Sequence, residues 1–308
     1  MQAIYVIAAL SVLVFVLVRL SPGDPALARL GIGAGSIVTH EKYEIERKLL
    51  GLDKPITVQY LIWLRNLATG DMGIAYASKK PIVWLVTRKF MKTLPLAASG
   101  LFLGIAIALP LGIIAGTRPF TWADNIISTV SLFGIAAPSF WIGLMLMLLF
   151  GVYLGWFPTF GSGPPGADSI HIQYLILPAI TVAIQLVGSQ ARFMRSAMLE
   201  VMSSDYIRTA RSKGLTESTV VLRHGLKNAL LPVVTIIGLD FAAVLGSSVV
   251  TETVFRWPGM GPLLVEAIGD RDYGLIQVLV MFIGLIYITF NLAVDIIYGL
   301  LDPRIRYR

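Results

Sequence analysis

Six long apolar segments constrain this chain more than any other feature of its sequence. They cover residues 2–18, 94–117, 125–153, 174–191, 231–250 and 275–301. A helix needs about 20 predominantly apolar residues to cross the hydrocarbon core of a bilayer, and all six segments come close to or exceed that length. Only 14% of the 308 residues are charged, whereas a soluble domain is usually about a quarter charged. The sequence therefore predicts an all-α integral membrane protein with six transmembrane helices.

The first segment has an alternative interpretation as a secretory signal peptide. Ala26-Leu27-Ala28 resembles a cleavage site, but no positively charged region precedes the apolar run. A transmembrane helix over residues 1–18 is therefore favoured, and the signal peptide stays as the alternative.

The cationic residues of the short connections predict the orientation. The connection 192–230 holds seven Lys/Arg, Arg118 lies in the connection 118–124, and the tail adds Arg304, Arg306 and Arg308. On the other side, residues 154–173 hold none and residues 251–274 hold only two. Because Lys and Arg accumulate in cytoplasmic loops, both termini and the connection 192–230 are predicted to be cytoplasmic.

The first connection, residues 19–93, is then extracytoplasmic although it carries twelve Lys/Arg. With about 75 residues it is longer than the roughly 60 over which the charge rule applies. Its turn residues predict three short helices: one capped by Thr39 and stopped by Gly51, one from Pro55 to Gly70, and one from Pro81 towards Lys92 with Ser78 as cap. These helices form either a docking surface for an external partner or a structural lid.

Small and polar residues within the spans predict how the helices pack. Gly100, Gly104, Ala108, Gly112 and Gly116 recur at every fourth position and favour close contact with another helix. Pro110 and Pro138 are expected to kink the second and third spans.

One carboxylate lies near the middle of the fifth span. Asp240 costs at least about 2.5–3.5 kcal/mol in the membrane unless it is paired, hydrated or protonated. The candidate partners on other spans are Gln185, Ser189, Gln190 and Asn291. These groups either line a polar translocation pathway, for which we take Gln185, Ser189, Asp240 and Asn291, or anchor the helices to each other by hydrogen bonds.

The connection 192–230 has the pattern of a helix–glycine–helix hairpin. Ser203 or Ser204 can cap a short helix, and Gly214 can close it. Thr216 begins a second helix that runs towards Pro232. Met194, Met198, Met202 and Tyr206 fall at every fourth residue before and into the hairpin. Such an element suits docking on a soluble partner or lying on anionic lipid, and physics alone leaves both open.

Several classes of function are excluded or disfavoured. Cysteine is absent, and His40, His171 and His224 lack metal-ligand spacing, so no metal site and no catalytic residue is predicted. The formal net charge of +7 comes without stacking aromatics between the basic residues, which argues against nucleic acid as a partner. There is no Gly-x-x-x-x-Gly-Lys-Ser/Thr phosphate loop, so the chain is not predicted to hydrolyse ATP.

Specific motifs decide between the interpretations. The run 205–215 (DYIRTARSKGL) with 222–232 (LRHGLKNALLP) resembles the cytoplasmic loop of ABC importer permeases, more narrowly those of the dipeptide/oligopeptide (peptide/nickel) family. The segments 21–26, 50–55, 70–73, 252–261 and 301–307 match the same family, and in particular the permease with the large outer loop.

The resemblance implies a type I-like ABC importer permease fold in a bacterial inner membrane. It implies a first helix over residues 1–18, an extracytoplasmic loop over 19–93, and a five-helix core over 94–308 with the coupling loop 192–230. The coupling helix that docks on the ATPase would comprise Asp205, Tyr206, Arg208, Thr209, Ala210, Arg211 and Lys213, with Gly214 as its stop.

The implied partners are a homologous second permease, two cytoplasmic ATPases that bind ATP and Mg, and an extracytoplasmic solute-binding protein. The implied substrates are di- or oligopeptides or glutathione-like peptides, although such permeases also handle nickel complexes and sugars. This chain would bind no cofactor itself.

Two departures from the family pattern stand out. Arg208-Thr209-Ala210 replaces the Glu-Ala-Ala of the general importer loop, which removes a glutamate contact. The chain also begins later than the family usually does, so either its first span is shortened or its start is misassigned. An ion-coupled secondary transporter and a membrane scaffold that moves no solute are the alternative functions; the former usually shows two related halves, and no repeat is evident.

Overall fold

The computed structural model describes residues 2–20, 23–30 and 40–301, and within these ranges the regular structure is helical. The helices are α1 (Gln2–Leu20), α2 (Pro25–Arg29), α3 (His40–Leu49), α4 (Ile56–Thr69), α5 (Ile82–Thr117), α6 (Trp122–Ala136), α7 (Ser139–Leu146), α8 (Ile172–Met202), α9 (Asp205–Ser212), α10 (Glu217–Thr219), α11 (Leu226–Val254), α12 (Met260–Gly269) and α13 (Tyr273–Leu301). The predicted cap Thr39 and the basic residues Arg304, Arg306 and Arg308 lie outside the described residues.

The predicted spans are present, with the third one broken. Within the described ranges, five helices or helix runs are long and apolar enough to cross a membrane, and α6 with residues 139–153 makes a sixth if this bent pair forms one span. Pro138 does more than kink the third span, because Ala137 and Pro138 both take extended backbone angles and the axis turns by 104°. Steric conflict with the proline ring keeps the preceding residue out of the α region, which explains the break. After α7, residues Met147–Tyr153 continue as a π-helix.

Several helices extend beyond the apolar segments that predicted them. The predicted separate helix from Pro81 to Lys92 is wrong, because these residues form the start of α5, which runs through Pro95 and Pro110 to Thr117. Ser78 does not cap this helix; its hydroxyl accepts a hydrogen bond from the Lys80 N–H. Hydropathy predicts only the part of a helix that lies in the membrane. The helical backbone hydrogen bonds of α5 continue through the charged residues outside that apolar segment, so the helix is longer than predicted.

The first compact unit comprises residues 1–92 and 258–289. Its core brings together the start of α5, α12 and the start of α13, where Ile82, Val86 and Leu279 are almost fully buried. Gly51 and Gly70 end α3 and α4 in the left-handed conformation, as predicted. Aromatic contacts join α1 to α4, with the rings of Phe15 and Tyr60 5.4 Å apart.

The second compact unit comprises residues 93–257 and 290–308, and α8 is its central helix, in contact with α6, α7 and α11. The predicted small-residue stripe of α5 is confirmed as a packing face against α8. A Cβ added to Gly100, Gly104, Gly112 or Gly116 would lie within 3 Å of Val182, Leu186, Met194 or Met198, respectively. In lipid no hydrophobic force drives helices together, so close backbone approach provides the attraction.

Gly112→Ala is expected to destabilise the folded chain. The added Cβ would lie 2.5 Å from the Met194 Cβ and 2.6 Å from the Ala191 carbonyl oxygen, and such overpacking typically costs about 1–3 kcal/mol. The thermal unfolding midpoint in detergent should fall. Gly246→Ala in α11 is the matched control, because no atom lies within 4 Å of its added Cβ and alanine favours the helix. Equal losses in both variants would contradict the tight packing of α5 on α8.

Candidate functional site

The connection between α8 and α11 folds as the predicted hairpin, which we define as residues 203–225. Helix α9 starts at Asp205, and Ser204 occupies its N-cap position as predicted, but without a side-chain cap hydrogen bond. The Ser204 hydroxyl instead donates to the Val201 carbonyl (2.6 Å), and the Ser203 hydroxyl donates to that of Glu200 (2.8 Å). Both serine side chains therefore bond back to the last turn of α8.

Helix α9 has one buried face and one exposed face. Ile207 and Ala210 are 0% and 6% exposed and pack on Val220, which follows α10. Of the residues predicted to dock on an ATPase, Ala210 is thus the one that lies in the core of the hairpin, because alanine at this position permits close contact with the second helix. The others are exposed: Asp205, Tyr206, Arg208, Thr209, Arg211, Lys213 and Gly214.

Gly214 closes α9 as predicted. Its φ is +74°, a left-handed conformation that glycine adopts without steric cost. Its N–H donates to the Arg211 carbonyl over 2.9 Å. Across this turn the Arg211 guanidinium bonds both carboxylate oxygens of Glu217, at 2.6 Å and 3.1 Å. Glu217 was not predicted as part of the site, although an acidic residue in the first turn after the Thr216 N-cap position is an ordinary pattern.

The two helices that flank the hairpin, α8 and α11, pack on each other. Met194 and Met198 of α8 are fully buried with Ala229 and Val233 of α11. Residues 220–225 form a π-helical turn, which continues α10 into α11. Tyr206 does not extend the methionine stripe, because α8 ends before it.

Exposed apolar side chains on the hairpin add to its surface. Leu222 is 61% exposed, Tyr206 44% and Leu215 39%. The Tyr206 hydroxyl accepts a hydrogen bond from the Asn228 amide of α11 (3.0 Å), so its ring is fixed on the surface. Leu215 and Leu222 were not predicted as part of the site, and they lie on the same hairpin as the exposed face of α9.

A polar cavity of about 140 Å³ lies between α8 and α11. Three of the four predicted pathway residues, Gln185, Ser189 and Asp240, line it. The Asp240 carboxylate accepts a hydrogen bond from the amide of Gln190, one of the predicted partners. Asn291 on α13 does not line this cavity, and its buried Oδ1 has no hydrogen-bond partner among the residues that the structure describes.

The cavity continues along α11 past residues that were not predicted to line it. Ser247 and Thr251 line it together with Asp240 and Ser248. Ser247 and Thr251 lie seven and eleven residues after Asp240, which places all three on one helix face. This spacing is the sequence pattern that could have predicted the two residues as part of the cavity lining. The arrangement can hydrate or hydrogen-bond a polar solute, and it offers no nucleophile–base pair.

A buried ion pair joins the start of α6 to the end of α8, and it was not predicted. The Arg195 guanidinium donates to both carboxylate oxygens of Asp124, at 2.6 Å and 2.8 Å. The Asp124 side chain is 2% exposed, and it also accepts the Phe120 N–H (2.9 Å). From the sequence, Arg195 was predicted only as one of the cationic residues of the cytoplasmic connection 192–230. This pair joins α6 to α8.

Comparison with known proteins assigns the chain to a family. Residues 108–307 match the family model of the binding-protein-dependent transport system inner membrane component, and residues 1–97 match the N-terminal model of such membrane components. The chain belongs to this permease family. It is therefore a multi-pass membrane component of an ABC importer, and it is a transport subunit.

Named relatives cover almost the whole permease. It is 41% identical over 298 residues to the glutathione transport system permease protein GsiC of Escherichia coli strain K12, covering 97% of this chain and 94% of that protein. The GsiC proteins of Shigella dysenteriae serotype 1 and Salmonella choleraesuis give the same identity and coverage. These matches confirm the predicted peptide/nickel-type permease family.

Solved structures agree on the fold. An inward-facing structure of the MetNI methionine ABC transporter matches 72% of this permease and 98% of its own chain, with 19% identity and a TM-score of 0.58. An amino acid ABC transporter matches with 15% identity and a TM-score of 0.52, covering 72% and 95% of the two chains. These likenesses confirm the predicted ABC importer permease fold.

Proposed function

We propose that this permease forms half of the translocation pathway of an ATP-driven importer, and that α9 is the helix through which a cytoplasmic ATPase drives it. The observation that carries the proposal is the geometry of the hairpin. Ile207 and Ala210 anchor α9 to the second helix, and its polar face stays exposed. A short, rigid element with Leu215 and Leu222 beside it suits insertion into a groove of a soluble protein.

The topology follows from the same proposal. The hairpin lies in the cytoplasm with both termini, as the distribution of Lys and Arg favours. Residues 19–93 then face outside, where they would meet a solute-binding protein. Residues 94–308 would hold the five-helix core, which pairs with a homologous permease. ATP and Mg would be bound by the two partner ATPases.

The proposed substrates are di- or oligopeptides or glutathione-like peptides. The support is the named activity of the GsiC relatives, which are glutathione transport permeases. The cavity between α8 and α11 offers hydroxyl and amide groups and the carboxylate of Asp240, and such groups can hydrogen-bond a peptide backbone without selecting one side chain.

Cysteine cross-linking tests the docking role of α9. The chain has no native cysteine, so Arg208→Cys and Arg211→Cys each introduce a single thiol on the exposed face. In the assembled transporter both should cross-link to an ATPase that carries cysteines in its docking groove. Ala210→Cys is the control, because this side chain is buried in the hairpin. Labelling of Arg208→Cys by an impermeant thiol reagent from outside the cell would overturn the proposal.

Asp240→Asn tests the pathway. The variant keeps the shape of the side chain but removes a charge from the cavity, so we expect the uptake rate to change several-fold while the amount of assembled complex stays the same. Thr253→Ala on α11, an exposed residue that does not line the cavity, is the comparison. Loss of assembly with no specific effect on uptake would instead show that Asp240 serves only as a hydrogen-bond anchor for Gln190.

The two alternative functions predict different behaviour. An ion-coupled secondary transporter would take up substrate without any ATPase, so uptake would persist when the partner ATPases are removed. A scaffold would retain its partners and move no solute. No feature of the described residues favours either alternative over the importer.

A further inference from the structure

A second, larger cavity lies within the first compact unit. Its volume is about 410 Å³, within the 300–1,000 Å³ typical of small-molecule sites. It is bounded by the end of α1, the segment from α3 to α4, one face of α4 and the start of α13. Its apolar wall includes Phe15, Val18, Ile62, Trp63, Leu67 and Val278.

The charged lining of this cavity is mainly cationic. Arg19, Lys48 and Lys54 line it, against the single carboxylate of Asp71. Arg19 belongs to the last turn of α1, and its guanidinium lies 5.3 Å from the centroid of the Phe15 ring. This contact with an aromatic face fixes the guanidinium at the wall of the cavity.

Two buried polar atoms in the lining lack partners within the described part of the chain. They are the Nε of Arg19, a donor, and the Oε1 of Gln59, an acceptor. The other amide atom of Gln59 is used, because its Nε2 donates to the Lys54 carbonyl (2.7 Å). Buried polar groups in native proteins are normally hydrogen-bonded, so each orphan calls for a partner. Both residues line the cavity, and a ligand that carries both an anionic acceptor and a hydrogen-bond donor matches their chemistry.

Tyr76 supplies another donor to the same lining. Burial, together with the nearby charge of Asp272, raises the pKa of its phenol to about 12. The hydroxyl is therefore protonated at neutral pH and can donate a hydrogen bond to an anion.

We propose that this cavity binds the headgroup of a membrane phospholipid, with Arg19 as the ligand of its phosphate. Guanidinium groups match the geometry of phosphate oxygens and form charge-assisted hydrogen bonds with them. The Oε1 of Gln59 accepts from the ammonium or hydroxyl of the headgroup. The cavity receives the headgroup only, and the acyl chains remain in the bilayer.

The position of Arg19 favours a lipid over a soluble anion. It ends an apolar helix that is long enough to span the bilayer, so its guanidinium lies at the level of the lipid headgroups. Three leucines of α1 near Arg19 are exposed and can contact acyl chains, with Leu13 at 53%, Leu17 at 58% and Leu20 at 75%. This inference depends on α1 crossing the membrane and does not depend on the proposed substrate or ATPase.

Lipid binding to the full-length chain in detergent tests the inference by native mass spectrometry. Phosphatidylethanolamine should be retained, and diacylglycerol with the same acyl chains, which lacks the phosphate, should not. Arg19→Gln should weaken retention by roughly ten- to one-hundredfold, as expected for loss of a charge-assisted contact. Arg65→Gln is the matched control, because this exposed arginine on α4 does not line the cavity and its loss should leave retention unchanged.

Three outcomes would overturn the proposal. They are equal retention of diacylglycerol by the wild-type chain, unchanged retention in Arg19→Gln, and displacement of the lipid by inorganic phosphate at matched concentration, which would assign the cavity to a soluble anion. If Arg19→Gln does not fold, Gln59→Leu tests the other orphan atom and should also weaken retention. The comparison of the two lipids on the wild-type chain needs no variant.

Discussion

Gly214→Pro is expected to uncouple ATP hydrolysis from transport and to lower uptake by roughly tenfold or more, because proline cannot take the backbone conformation found here. Gly214 has a φ of +74°, whereas the proline ring holds φ near −65°. Proline also lacks the N–H that donates to the Arg211 carbonyl. The turn after α9 must therefore rearrange, and with it the Arg211–Glu217 pair.

Gly214→Asn is the matched variant, because asparagine tolerates the left-handed region far better than other non-glycine residues. An added Cβ meets no atom within 4 Å, so the asparagine side chain has room. We expect near-normal uptake in this variant, with ATPase activity still stimulated by substrate. Uptake by Gly214→Pro at the wild-type rate in reconstituted vesicles would refute the role of the hairpin in coupling.

Asp124→Asn is expected to lower the stability of the folded permease by about 3 kcal/mol. Breaking a buried ion pair typically costs about 3–5 kcal/mol, since the remaining charge is left uncompensated. We expect the lower end of this range of free energies because the Arg195 side chain is 26% exposed and can regain some hydration. Denaturation of the purified complex by SDS, followed by circular dichroism, should show an earlier transition.

Asp205→Asn provides the control for this prediction. It removes the same charge from an aspartate–arginine pair, but its side chain is 95% exposed and that of Arg208 77%, so no measurable loss of stability is expected. Arg195→Gln completes a double-mutant cycle with Asp124→Asn. If the two variants add without a coupling energy, the ion pair contributes nothing specific and its role as a helix anchor is refuted.

Local signals predicted much of the fold and part of the hairpin. Gly51, Gly70 and Gly214 end helices where the sequence placed them, because a left-handed residue after a helix depends only on its own backbone. The small residues of α5 likewise predicted a packing face, although the pattern could not identify α8 as the partner. Three of the four predicted pathway residues share one cavity for a similar reason, because polar side chains inside a span face the helix bundle or a hydrated cavity rather than lipid.

What the sequence could not predict are contacts between segments that lie far apart along the chain. Ala210 was predicted on the docking surface, but it is buried against Val220, which follows the turn. Gln190 and Asn291 were both candidate partners of Asp240, and Gln190 provides the hydrogen bond. The ion pair of Asp124 with Arg195 joins residues 71 positions apart, and no periodicity within one helix reveals such a pair.

The sequence by itself determined that this is a helical membrane protein with six apolar segments and a glycine-closed basic hairpin, because hydropathy and turn chemistry act over a few residues. Only the tertiary structure decided that Pro138 turns the third span by 104°, that α5 packs on α8, and which face of α9 stays free. These features depend on which helix surfaces contact each other. Close packing and the pairing of buried polar groups between segments distant in the sequence determine those contacts.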